Sequence, residues 1–129
     1  MSEPIDPGVI ALAAKVFDLA REGDTDQLVD YLEAGVPANL TNDKGDTLLI
    51  LAAYRGHTRT VEALLAWDAD HSRANDRGQT PLAAAVFKQS AETVQALLAA
   101  GADPDAGSPS ARATAQFFEL PEMAALLEG

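Results

Sequence analysis

Apolar residues recur along the chain as three triplets: Leu28, Tyr31 and Leu32; Val61, Leu64 and Leu65; Val94, Leu97 and Leu98. Within each triplet the spacing is i, i+3, i+4, which lines a single stripe of an α-helix. Between triplets the offset is 33 residues. That is too long for a helix or strand period and too short for a domain duplication, so it marks a structural unit stacked on copies of itself.

Ahead of each of the last two triplets lies a second matching stretch, "DKGDTLLILAA" over residues 43–53 and "DRGQTPLAAAV" over 76–86. Thr47 and Thr80 stand where a hydroxyl can cap a helix by accepting a backbone N–H, and Pro81 suits the first helical position, where its missing N–H is not needed. The pattern predicts a short first helix from each cap. Ala52, Ala53, Ala84 and Ala85 give it a slim packing face, and Gly56 closes it nine residues after Thr47. Gly35, Asp68 and Gly101 share one column after the second helix, where a left-handed residue ends a helix; Gly23, Gly56 and Gln89 share another. About ten residues then lead to the next cap. The predicted unit is helix, turn, helix and an extended, hairpin-like finger.

"GDTLLILAAYRGHTRTVEALLAWDAD" from Gly45 and "GQTPLAAAVFKQSAETVQALLAAGAD" from Gly78 resemble the ankyrin repeat family, whose outline is G-x-T-P-L-H-x-A-A, a G-H turn, V-x-x-L-L and a closing G-A-D. The resemblance covers nearly the whole chain and implies an all-α solenoid of about four stacked helix pairs with finger loops. There are departures. Ile50 and Ala83 replace the histidine that follows T-P-L, so the hydrogen bond it supplies must give way to packing. Asp68 and Gln89 occupy columns that favour glycine, and the turns there are expected to close differently.

On this register the chain is one domain: an N-terminal capping repeat over 7–41, repeats over 42–74 and 75–107, and a shortened C-terminal capping repeat over 108–129. Asp6-Pro7 and Asp24 can start the two helices of the first cap. The last finger is about three residues shorter, and "SARATAQFFELPEMAALLEG" holds two short helices. Terminal repeats need a polar outer face, so their deviation is expected.

Composition narrows the function. At 13.5 kDa with 47% hydrophobic and 5% aromatic residues, the chain can bury roughly two-thirds of its unfolded surface around a core of small and aliphatic side chains. It has no cysteine, which excludes disulfides, thiolate metal sites and cysteine nucleophiles. No basic segment precedes the first apolar run, and no apolar stretch approaches the ~20 residues that span a bilayer. A cytoplasmic protein that engages no membrane is expected.

The net charge of −11 opposes binding to nucleic acid or anionic lipid. Its distribution is uneven. Residues 1–43 carry nine acids and two bases, residues 89–129 six acids and one base, and residues 44–88 five acids and six bases. The middle is nearly neutral between two acidic ends.

No constellation for chemistry emerges. His57 and His71 are the two histidines, 14 residues apart, without the i, i+4 spacing of a helical zinc pair; His57 matches the turn histidine of the family. Asp103-Pro104-Asp105 with Gly107 has the start of a calcium loop, but Thr114 stands where a glutamate ligand belongs. There is no phosphate-binding G-x-x-x-x-G-K-[ST] loop and no G-x-S-x-G nucleophile elbow. A non-enzymatic protein without cofactor or metal is expected.

Binding is the positive expectation. In a stack of this kind the fingers and first-helix ends form a concave face whose side chains are free to vary. That face would hold Lys44 and Asp46 on one finger, Arg77 and Gln79 on the next, and Tyr54-Arg55 and Phe87-Lys88 at the helix ends. Tyr, Phe and Arg are residue types that anchor interfaces. They suit a protein partner with an acidic or mixed patch, which the chain would mask or inhibit. Alternatively, Tyr54 and Phe87 fold back onto neighbouring helices, and the two cations only solubilise. Trp67 is expected to pack over the back of the stack, the alternative being a second contact point on the convex side. Phe117-Phe118 offers a second reading, in which an otherwise monomeric chain self-associates through an exposed apolar end.

Overall fold

The computed structural model describes residues 7–128 of the chain, and the helix start expected at Asp6 lies outside them. Eight helices follow one another: α1 (Pro7–Glu22), α2 (Thr25–Glu33), α3 (Leu48–Tyr54), α4 (Thr58–Ala66), α5 (Pro81–Lys88), α6 (Ala91–Ala99), α7 (Ala111–Phe117) and α8 (Pro121–Glu128). They form four antiparallel pairs stacked side by side. The first helices α1, α3, α5 and α7 make one row, and the second helices α2, α4, α6 and α8 make another.

The expected caps set the first-row boundaries. Thr47 Oγ1 accepts the Ile50 N–H at 3.1 Å and Thr80 Oγ1 the Ala83 N–H at 3.2 Å, with Pro81 at the first helical position. Ser110 Oγ takes the Ala113 N–H at 3.0 Å for α7. Ser110 falls on the Thr80 column only once a three-residue deletion is allowed, which places the shortening in the last finger. Asp24 caps α2 by accepting the Gln27 N–H.

Between the rows lies the core. The stripes Leu28, Val61, Leu64, Val94 and Leu97 meet Leu48, Leu49, Leu82 and the alanines at 52, 53, 84 and 85, all of them buried. Fully burying one of these leucines stabilises by about 2 kcal/mol, and the alanines let α3 and α5 approach closely. Ile50 and Ala83, which stand where the family carries histidine, are buried as well. The second row adds hydroxyl pairs across the stack, Thr25 with Thr60 and Thr58 with Thr93, each at 2.8 Å.

The turns differ from expectation. Asp68 (φ 61°) and Gln89 (φ 63°) adopt the left-handed conformation of the glycines they replace, and Glu119 (φ 54°) does the same in the last pair. Packing of the flanking helices fixes the turn geometry, and these residues carry left-handed strain of about 1 kcal/mol each. Where glycine remains, the space is needed: a Cβ on Gly23 would lie 2.7 Å from the His57 ring. His57 Nε2 in turn donates to the Arg21 carbonyl at 2.8 Å. This histidine is structural.

Candidate functional site

The concave face is built from the fingers and the C-terminal ends of the first-row helices. Each finger turns on an asparagine. Asn42 Oδ1 accepts the N–H groups of Lys44 and Asp46 at 2.9 Å, and Asn75 Oδ1 those of Arg77 and Gln79 at 3.0 Å. The side-chain oxygen replaces a backbone acceptor and makes a tight loop. Lys44 and Arg77 are thereby held outward, both exposed. These asparagines stand 33 residues apart, so the repeat pattern contained them, although nothing in their type alone set them above other loop residues.

Neighbouring fingers are bonded to each other. Asp76 N–H donates to the Lys44 carbonyl at 3.0 Å, Asn75 Nδ2 to Asp46 Oδ1 at 2.7 Å, and Ser108 N–H to the Gly78 carbonyl at 2.9 Å. Asp46, expected on the contact face, is only 6% exposed, and its carboxylate is occupied by Asn75. Its role in the structure is to couple fingers. Gln79 is half-buried, and its Oε1 has no hydrogen-bond partner although it is sealed from the surface.

At the helix ends the aromatic residues form one continuous ridge. Tyr54 and Phe87 stack with centroids 5.9 Å apart and planes 13° from parallel; Phe118 meets Phe87 edge-on at 5.4 Å, and Phe117 meets Phe118 edge-on at 4.9 Å. Such geometries are worth about 0.5–1.5 kcal/mol per pair beyond area burial. All four remain open to solvent, from 40% for Tyr54 to 79% for Phe117. Tyr54 and Phe87 therefore pack on each other without retreating into the core. The ridge joins two features the sequence kept apart, the helix-end aromatics of the middle repeats and the Phe117-Phe118 end.

Arg55 and Lys88 flank the ridge, both exposed. Among the described residues Lys44, Arg55, Arg77 and Lys88 have no carboxylate within salt-bridge range, whereas Arg21, Arg59 and Arg112 are held by Asp18, Asp26 and Asp105. The hydrogen bond to Asp105, reinforced by that carboxylate's charge, raises the Arg112 guanidinium pKa further above its ordinary value. Beside the first finger a recess of about 490 Å³ is lined by the cations Arg21, Lys44, Arg55 and Arg77, the acids Asp43 and Asp46, and Asn42, Tyr54 and Gln79 among others. At the far end of the ridge a second recess, of about 350 Å³, is walled by Pro109, Ala113, Thr114, Phe117 and Phe118.

Other candidates resolve into structure. Asp103 Oδ1 accepts the Asp105 N–H at 2.9 Å, and Asp105 holds Arg112, so the acids of that loop shape the third finger. Among the described residues no group of three or more His, Asp or Glu side chains could hold a metal ion, and no helix is long and apolar enough to cross a membrane. Trp67, expected to pack over the back of the stack, ends α4 with 42% of its surface exposed.

Paired helices in register, joined by bonded fingers, define a helical-repeat solenoid, a class that presents an extended concave surface to its ligands. Residues 13–108 match the family model for ankyrin repeats in three copies. A Pseudomonas aeruginosa protein named for its ankyrin repeats is 53% identical over 47 residues, covering 36% of this chain and 28% of that protein. The chain belongs to the ankyrin repeat family. Ankyrin repeats are generally protein–protein interaction modules, and the family is typically non-enzymatic.

Proposed function

We propose that this chain is a non-enzymatic docking module, acting in the cytoplasm, that holds a protein partner on the concave face and thereby masks or inhibits it. The contacts come from Lys44, Arg77 and Gln79 on the fingers and from Tyr54, Arg55, Phe87 and Lys88 at the helix ends. Asp46 contributes by fixing the fingers. The observation that carries the reading is the exposed aromatic ridge flanked by cations that have no internal carboxylate. Exposed aromatics in mutual contact bury large area at low entropic cost when a partner arrives, and unpaired cations supply orientation and specificity. With repeat boundaries at 41/42, 74/75 and 107/108, the two middle units each contribute one finger and one helix end to the face.

Affinity capture from the native host's lysate tests this, with wild type beside the Tyr54→Ala/Arg55→Ala/Phe87→Ala/Lys88→Ala variant, once circular dichroism confirms that both are folded. A protein retained by wild type and lost by the variant is the expected result. Equal retention by both would remove the concave face from consideration. The 79% exposure of Phe117 favours a second reading, self-association through the Phe117-Phe118 end. Light scattering that gives a concentration-dependent mass, abolished by Phe117→Ser, would put it first.

A further inference from the structure

Resting on the concave-face reading, we propose that the ridge receives an extended, acidic segment of the partner protein, and that one large apolar side chain of that segment seats in the recess beside Phe117 and Phe118. The face is linear. Consecutive ring centroids from Tyr54 through Phe87 and Phe118 to Phe117 lie 5.9, 5.4 and 4.9 Å apart, so the ridge reaches no more than about 16 Å, which about five residues of extended chain cover at ~3.3 Å each. A narrow track of this length fits a strand-like segment better than a broad folded surface.

Charge selects the segment's composition. In a chain of net charge −11, Lys44, Arg55, Arg77 and Lys88 stand together along this track without a carboxylate partner among the described residues; Lys15 and Arg73 are likewise unpaired, and Arg21, Arg59 and Arg112 are paired with acids. A carboxylate-bearing ligand supplies the counter-charges the protein withholds. The same surplus of acid at both ends of the stack disfavours a second copy of this chain as occupant and repels nucleic acid.

Two further features mark where the segment attaches. The recess of about 350 Å³ between Pro109, Ala113, Thr114, Phe117 and Phe118 has room for one large apolar side chain and offers it almost wholly apolar walls. Gln79 lies on both the first-finger recess and the groove that leads past Ala83 and Pro109 towards Thr114, and its buried Oε1 lacks a donor. Once the Gln79 side chain turns outward from its sealed position, a backbone N–H of a chain lying in that groove can satisfy it, which removes the penalty of an unpaired buried acceptor.

Selection of phage-displayed random dodecapeptides on the intact chain tests the proposal, followed by fluorescence anisotropy with the labelled consensus peptide. Enriched sequences are expected to place acids beside a Trp, Phe, Leu or Met. Affinity should fall about tenfold or more in Arg55→Glu/Lys88→Glu and in Phe117→Ser, and should weaken as salt is added. Both variants change exposed side chains; Ala113→Trp, which fills the recess, is a third probe and should also abolish binding. The proposal is overturned by enrichment of neutral or basic sequences, by the absence of enrichment, or by affinities that change less than about twofold in both surface variants. Tighter binding of labelled oligothymidine than of the peptide overturns it too, as does a dimer in light scattering that Phe117→Ser dissociates. Failure of the peptide with lysate capture still lost in the alanine variant would sink this inference alone; capture unaffected by that variant would sink the docking reading beneath it.

Discussion

Replacing Gly23 with alanine should destabilise the stack far more than the same change at Gly56, although the two glycines share a column and nearly the same backbone, φ 75° and 72°. At Gly56 the new Cβ would meet Lys88 Cγ at 3.5 Å and Ser90 Cβ at 3.6 Å, which is ordinary contact. Only left-handed strain remains, about 1–2 kcal/mol. At Gly23 the Cβ would stand 2.7 Å from His57 Cγ and Nδ1. The ring must move, losing its 2.8 Å bond to the Arg21 carbonyl, about 1 kcal/mol, and forcing repacking worth about 1–3 kcal/mol. Gly23→Ala should therefore exceed Gly56→Ala by about 2–4 kcal/mol. Removing the ring should erase the excess: in a His57→Ala background Gly23→Ala should cost only the strain, which gives a coupling of about 2 kcal/mol in the double-mutant cycle. Urea unfolding followed by far-ultraviolet circular dichroism measures all four proteins, with equal slopes confirming a common two-state transition. If Gly23→Ala and Gly56→Ala agree within about 0.5 kcal/mol, or the cycle is additive within that margin, His57 is not the wedge this geometry describes.

Gln89→Gly should raise stability by about 0.5–1 kcal/mol, because the strain relieved at φ 63° exceeds the added freedom of the unfolded chain; an unchanged or lower urea midpoint would count against strain at that turn. Asp46→Ala leaves the buried Asn75 amide without its acceptor and should cost about 1–3 kcal/mol, while Lys44→Ala, two residues away and exposed, should stay within about 0.5 kcal/mol. Thermal melts that rank these two the other way would return Asp46 to the contact face. Thr80→Ala removes the cap on Ala83 N–H and should cost about 1 kcal/mol, with Thr80→Ser restoring most of it; equal melting of the two variants would deny the cap its role.

The elements were legible where local chemistry sets them. Thr47 and Thr80 cap because their hydroxyls sit three residues ahead of the N–H they accept, a relation contained within one turn, and the triplets bury because their spacing is helical. Asp68 and Gln89 were misread because their φ is imposed by helices packed on either side, and residue type gives only a preference. Asp46 carried the same ambiguity. Its place on the same finger as Lys44 put it on the contact face, and the residue that claims its carboxylate, Asn75, belongs to the next finger. The ridge was half visible: Tyr54 and Phe87 share a column, which the shortened third finger continues at Phe117, but the ring that meets Phe87 is Phe118, and contact across repeats is a tertiary fact. The orphan Oε1 of Gln79 left no trace in the sequence at all.

The bonds that run from finger to finger bear on how tightly anything can be held. Lys44 carbonyl to Asp76, Asp46 to Asn75 and Gly78 carbonyl to Ser108 fix each loop against the next while no ligand is present. Loops on a protein surface ordinarily surrender mobility when they are grasped, and that loss is subtracted from affinity. Here the ordering has already been done by folding. A ligand meets donors and rings at set intervals, so a change of one residue in the ligand's own spacing should be felt as lost affinity and not absorbed by a yielding loop.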